Sequence, residues 1–243
     1  MLIVHAHREP QSLNGDLTRQ AVTTLTGSGH TVHVNDLYAI GFDPVANTSD
    51  YTTCEDPAHL RTDSEQTWAH RHDAVAPDIA AEQHKLAAAD LLILQYPTWW
   101  FSMPAILKTW ADRVLACGFA CQCGHPYDTG LMPGKKAMVS VTIETSAGTS
   151  AHDLIDGSLL DVLWPVHNGL LRYSGFEVLQ PFATHAPGEA DDDTRAHVLR
   201  RYDHRLRHLD AVPALVFHPH TDAGQDERLL PGVTPASGFQ HRR

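Results

Sequence analysis

Residues 91–96 read Leu-Leu-Ile-Leu-Gln-Tyr, an apolar run that does not alternate. A strand with one wet face alternates apolar and polar side chains with a period of two, whereas a strand covered on both faces does not. That run therefore demands a layer of helices above it and another below. Other short segments fit the same plan. Leu2 to Ala6 is a buried strand, residues 30–35 (HTVHVN) alternate as a second, 136–142 (KAMVSVT) form a fourth and 176–182 (FEVLQPF) a fifth.

Helical stretches lie between them. An amphipathic segment runs from about Leu13 to Leu25, and PDIAAEQHKLAAAD (77–90) is rich in helix formers with proline at its start. MPAILKTWADRVLACG (103–118) tolerates Pro104 in its first turn and offers Gly118 as a stop. SLLDVLWPVHNGLLRYSG (158–175) reads as a helix interrupted at Pro165. DDDTRAHVLRRYDHRLRHL (191–209) carries acids first and bases last, matching the helix dipole. Residues 37–75 show no period and are expected to form a long irregular excursion. Beyond about His220 a poorly ordered tail or extended arm is expected, so the domain is drawn at 1–215 and the arm at 216–243.

Alternating strands and helices imply an α/β fold with a parallel sheet covered on both faces and ligand sites at the carboxyl ends of the strands. In a doubly wound, five-stranded sheet of order 2-1-3-4-5, the order expected here, the loops after strands one, three and four are neighbours. No GxGxxG follows the first strand, which disfavours a dinucleotide site of that type. HREPQSLNG (7–15) instead leads hydroxyl and amide groups into a helix N-terminus, a natural anion seat. After the third strand comes Tyr-Pro-Thr-Trp-Trp-Phe (96–101), where a simple turn would use glycine and asparagine. With the loop at 142–150, an anion seat and an aromatic wall suit a ligand with phosphate at one end and a planar ring system at the other, as in a flavin nucleotide.

The 18 basic and 29 acidic residues give a formal charge of −11, which argues against nucleic acid or an anionic membrane as partner. No apolar run reaches the roughly 18 residues that span a bilayer. With no export signal at the N-terminus and only four cysteines, a reducing cytoplasm is expected. Cys117, Cys121 and Cys123 form C-x3-C-x-C near His125, and His5/His7, His70/His72 and His218/His220 are paired two apart. None of these completes a ligand set, and no metal is expected.

The segments LIVHAHREPQSLNG, DLYAIGFDPVA, AEQHKLAAADLLILQYPTWWFSMPAILKTWADRVLACGFA, YDTGLMPGKKAMVSVT and LWPVHNGLLRYSGFEVLQPF together resemble the NAD(P)H:quinone oxidoreductases of flavodoxin-like fold. The likeness runs from Met1 to about Leu209. It implies a homodimer with two interfacial sites, FAD rather than FMN, NAD(P)H as co-substrate and ping-pong, two-electron reduction of a quinone-like acceptor. By the same likeness His7, Ser12, Leu13 and Asn14 hold the pyrophosphate and ribityl region. Pro97, Thr98, Trp99, Trp100 and Phe101 hold the ring, Thr142, Ile143, Glu144 and Thr145 form the third flavin loop, and Arg195 meets the adenosine.

Relatives use a Gly-Gly pair, a tyrosine and a histidine beside the ring. An ungapped match puts Glu144, Thr145, Ser150 and Asp156 there, with His152 as a nearby substitute. Ser150, His152 and Asp156 are thus the catalytic candidates. Glu144 would oppose an anionic reduced ring by about 1 kcal/mol even with solvent screening. Phe101, Trp100, Cys121, Cys123 and Tyr173 would line the acceptor slot. The two cysteines replace tyrosines there, which predicts a wider, less aromatic pocket. An azo- or nitro-reductase, a reductase of a bulky aromatic quinone, and a non-catalytic redox-sensing flavoprotein are the alternatives.

Overall fold

The computed structural model describes residues 1–122, 124, 126–144, 158–185, 188 and 190–234. Strands β1 (Leu2–His5), β2 (His33–Asp36), β3 (Leu91–Pro97) and β4 (Lys136–Ile143) are all parallel, in the order β2-β1-β3-β4. The sheet continues past β4 with two short pieces, β5 (Glu177–Val178) and β6 (Phe182–His185).

The expected order holds, but the fifth strand is divided and the sheet has six strands among the described residues. Lys136 pairs with Glu177, whereas Ser140 pairs with Phe182, so the register slips by one residue between the two pieces. Pro181 lies in that break, where it has no N–H to give the ladder. Leu179 N–H still reaches Ala137 O at 2.8 Å, while Gln180 N–H turns outward to Pro213 O at 2.9 Å. The chain at 213–215 thereby covers an edge that would otherwise be open to pairing with another molecule.

The continuous apolar run of β3 serves two cores. Leu92, Leu94 and Tyr96 join Leu107 and Trp110 of helix α4 (Ala105–Val114), and Ile79 and Leu86 of helix α3 (Pro77–Ala88), on one face. Leu91 and Ile93 meet Leu17 and Leu25 of helix α1 (Leu13–Gly27), and Tyr202 and Leu206 of helix α7 (Asp192–Arg207), on the other. Every residue of β3 is buried.

Residues 37–75 contain a helix, α2 (Thr62–Arg71), where an irregular path was expected. Its first turn has no side-chain cap, and only Glu65 and Ala69 are buried. A helix with so narrow a buried face leaves no apolar period in the sequence. Polar anchors hold the excursion instead. Arg113 of α4 is buried and binds Asp50 at 2.9 Å and Asp78 at 3.1 Å, with its guanidinium 4.8 Å from the Phe42 ring centre.

The segment 158–175 is broken more finely than expected. Helix α5 (Leu159–Val162) starts with a reciprocal Ser158–Asp161 capping box and is followed by α6 (Trp164–Val166). Pro165 cannot donate to the carbonyl four residues back. From His167 to Arg172 the backbone widens to π-helical turns, with Tyr173 N–H on Asn168 O at 3.1 Å. The last described stretch folds back on the body. Arg172 lies 4.2 Å from the Tyr127 ring centre and 5.1 Å from that of Phe217, and His220 N–H donates to Asp128 Oδ2 at 2.6 Å. Among the described residues no helix is long and apolar enough to cross a membrane.

Candidate functional site

The loops after β1, β3 and β4 meet at the carboxyl end of the sheet. In the first, Glu9 N–H donates to His7 Nδ1 at 3.0 Å, Gln11 N–H to Glu9 Oε1 at 2.9 Å, and Ser12 N–H to Glu9 O at 3.1 Å. Ser12 caps α1, its Oγ accepting from Gly15 N–H at 3.2 Å. Gly15 has to be glycine, because a Cβ there would fall 2.2 Å from Pro10 O. Among the described residues no acceptor meets the N–H groups of Leu13 and Asn14. The helix end thus retains two unsatisfied donors and the positive pole of its dipole.

Asn14 does more than its neighbours. Buried, it donates from Nδ2 to Thr142 Oγ1 at 2.7 Å and accepts at Oδ1 from Gln95 Nε2 at 2.8 Å. One side chain therefore ties α1 to β3 and β4. Arg195 of α7 braces the same loop from outside, donating to Gln11 O at 3.1 Å and pairing with Asp16.

The second loop is a two-residue reversal. Trp99 N–H donates to Ser102 O at 2.9 Å, and Ser102 N–H to Trp99 O at 3.0 Å. Trp100 and Phe101 at its tip have φ of 51° and 59°, the left-handed region normally left to glycine and asparagine. Trp100 is 96% exposed and Phe101 56%. Thr98 N–H fixes the base of the turn on Thr142 O at 2.9 Å. His7 and Trp99 bring the first two loops together, with ring centres 6.4 Å apart.

The third loop starts at Thr142 and Ile143. Glu144 is exposed, and a Cβ added to Gly188 would fall 2.9 Å from its Oε1, so its carboxylate lies against the turn after β6. Thr145, Ser150, His152 and Asp156 lie outside the described residues, as does Cys123.

The expected slot residues fall into separate clusters within one chain. Cys121 sits 3.1 Å, sulfur to sulfur, from Cys117 in the turn after α4. Tyr173 meets Tyr127 edge-on, with ring centres 5.6 Å apart. Among the described residues no group of three or more metal-binding side chains converges.

Burial sets the local electrostatics. His5, at the end of β1, has its pKa lowered chiefly by burial, with the Asp36 carboxylate opposing. Burial alone pushes the Tyr96 hydroxyl well above its ordinary value. It also lowers the pKa of Arg172, against the pull of Asp128.

Sequence reasoning missed the bracing roles of Gln95 and Asp16. A glutamine inside an otherwise apolar strand was the available signal for the first. Asp16 offered none beyond its place in the first turn of a helix.

A parallel sheet of order 2-1-3-4, with an anion-ready helix end and an aromatic turn at one rim, defines a flavodoxin-like domain. A sequence profile of the flavodoxin-like fold matches residues 1–206, and the chain belongs to that family. It is 41% identical over 226 residues to human ribosyldihydronicotinamide dehydrogenase [quinone], covering 93% of this chain and 98% of that protein. It is 38% identical over 219 residues to NAD(P)H dehydrogenase [quinone] 1 of Rattus norvegicus, covering 90% and 80%. A solved structure from Klebsiella pneumoniae, described as a candidate quinone reductase, superposes with a TM-score of 0.92 at 34% identity and 98% coverage of both chains.

Proposed function

We propose that this protein is a flavin-dependent NAD(P)H oxidoreductase that delivers two electrons to quinone-like acceptors. The observation that carries the reading is the coupling of the α1 N-terminus to the exposed Trp100–Phe101 turn through Asn14, Thr142 and Thr98. The residues fit a flavin nucleotide. The Leu13 and Asn14 N–H groups would meet a diphosphate, and Arg195 braces the loop that presents them. A large aromatic held exposed in a left-handed conformation makes sense as a wall for a flat ring.

When bound, a flavin supplies the acceptance and release of hydride, and the protein supplies orientation and electrostatics. Pro97, Thr98 and Trp99 to Phe101 position the ring and keep water from it. Ile143 would border its polar edge, and the Glu144 carboxylate, turned toward Gly188, is kept aside. Nicotinamide and acceptor use one slot in turn. The acceptor gains a hydride and a proton to become a hydroquinone, and Ser150, His152 and Asp156 are the candidate groups for proton and charge management.

FAD is favoured over FMN because Arg195 lies beside the first loop, where the adenosine end of the longer nucleotide would pass. In a homodimer, Cys121, Cys123 and Tyr173 of one chain would close the slot over the aromatic turn of the other. The domain spans 1–215, with 216–243 as an arm, and the protein works in the cytoplasm.

Titration of the purified chain with FAD and with FMN tests the site, and anaerobic NAD(P)H oxidation with a quinone series tests the activity. Absence of flavin binding ends the proposal. Flavin reduction without turnover on any acceptor would point to a redox sensor instead, and faster turnover of azo or nitro compounds to that reductase class.

A further inference from the structure

We propose that Cys117 and Cys121 form a reversible oxidation site that closes to an intramolecular disulfide. The turn after α4 is built to hold them together. Ala116 O accepts from Phe119 N–H at 3.1 Å and from Ala120 N–H at 3.0 Å, and Gly118 N–H donates to Cys121 O at 2.7 Å. Gly118 permits that closure with a φ of +93°, and a Cβ there would come within 3.1 Å of His70 Cβ on α2. Cys117 N–H donates to Gln66 Oε1 at 3.0 Å, which anchors the turn to the same helix.

These constraints leave the two sulfurs 3.1 Å apart, with the Cys121 thiol 3.7 Å from Leu115 O. A disulfide is about 2.05 Å long, so closure needs roughly 1 Å of approach. Both side chains are partly buried rather than sealed, so a small oxidant can reach them. A pair of thiols acting only as small apolar fillers would have no need of such a pinned turn.

The oxidant is a hydroperoxide, in the simplest case hydrogen peroxide. The thiolate of one cysteine attacks a peroxide oxygen, the O–O bond breaks, and the leaving hydroxide takes up a proton to become water. The attacked oxygen stays as a sulfenic acid. The second sulfur then attacks the sulfenic sulfur, the S–S bond forms, and the oxygen leaves as a second water with the thiol's proton. Two thiols and one hydrogen peroxide give one disulfide and two waters, so two electrons pass from sulfur to oxygen. A dithiol reverses the step.

The turn borders the acceptor slot of the proposed reductase, so closure would reshape that slot. This consequence rests on the function proposed above, whereas the thiol chemistry does not. The test uses the flavin-free full chain, with no acceptor present, so its outcome is independent of reductase activity.

In a Cys54→Ser/Cys123→Ser variant treated with one equivalent of hydrogen peroxide, reactive thiols should fall from two per chain to none. The intact mass should drop by two hydrogens, and dithiothreitol should restore both thiols. In the unsubstituted chain, fragmentation of the tryptic peptide 114–135 should place the bond between Cys117 and Cys121. Retention of both thiols, conversion to sulfinic acid without a disulfide, or a bond to Cys123 or Cys54 in the unsubstituted chain would overturn the proposal.

Discussion

Asn14 and Thr142, 128 positions apart in sequence, share a buried hydrogen bond of 2.7 Å. Thr142 O also receives the Thr98 N–H that begins the aromatic turn, so this pair registers the anion seat against the ring wall. A ligand held at both ends needs that spacing fixed in advance, since slack between the ends would be removed at the expense of affinity.

Replacing Asn14 with alanine should therefore weaken both stability and ligand binding. The change strands Gln95 Nε2 and Thr142 Oγ1, beside a Gln95 Oε1 that has no hydrogen-bond partner among the described residues. Unsatisfied buried polar groups cost about 1–3 kcal/mol each. With two groups stranded, urea unfolding of the flavin-free protein should show a loss of about 2–6 kcal/mol. Flavin titration should give a Kd about tenfold higher, equivalent to about 1.4 kcal/mol. Unchanged flavin affinity in a folded variant would disconnect this hydrogen bond from the site.

The tip of the aromatic turn sets stability against function. Left-handed residues other than glycine and asparagine cost of order 1–3 kcal/mol each. A Trp100→Asn/Phe101→Gly variant suits the same reversal without strain. With strain relieved at both positions and part of the gain offset by the backbone entropy of the new glycine, it should be more stable than the parent by about 1–5 kcal/mol in urea unfolding and should bind flavin poorly. A variant that gained stability and kept its flavin affinity would show that the two rings do not contact the ligand.

The contrast between β3 and α2 explains what could be read in advance. Burial on both faces writes an unbroken apolar run, so β3 and its place in a sheet covered on both sides were visible in the residues themselves. Helix α2 buries only Glu65 and Ala69, and polar contacts hold its surroundings, so no hydrophobic period marked it. The site divides in the same way. Trp99, Trp100 and Phe101 stood out because exposed aromatics at a strand end are unusual, yet nothing local signalled their left-handed backbone. Asn14 looked like a ligand contact, and only the long-range partners Gln95 and Thr142 disclose its bracing role.

Arg113 is the linchpin of the 37–75 excursion. It is buried with Asp50 at 2.9 Å, and it also reaches Asp43 O at 3.3 Å. Removing one member of a buried ion pair strands the other, at about 3–5 kcal/mol. Arg113→Met should therefore lose about that much in urea unfolding. Arg113→Met/Asp50→Asn should recover a large part of the loss, because no charge is then left buried alone. A double variant no more stable than the single one would show that Arg113 acts mainly by packing on Phe42.

His5 gives the fold a pH dependence whose sign is set by burial. Its ring is buried, with Nδ1 2.9 Å from Thr18 Oγ1. Burial lowers its pKa most, and Asp36 pulls the other way. The charges of His7 and Arg19 add smaller lowering effects, and a hydrogen bond with the His7 backbone raises it slightly. In the unfolded chain the group titrates near its ordinary value of about 6.5. Below that pH the unfolded chain binds more protons than the folded one, so acid favours unfolding. The stability from a neutral His5 is complete above pH about 6.5 and declines as pH falls toward and through the lowered native value. The other seventeen histidines add slopes of their own, so the measurement has to be a difference. Urea unfolding free energies of the parent and of His5→Gln, compared across this range, should converge as pH falls, because only the parent loses the His5 contribution. Parallel curves would mean that His5 keeps an ordinary pKa in the folded state and that Asp36 offsets the burial.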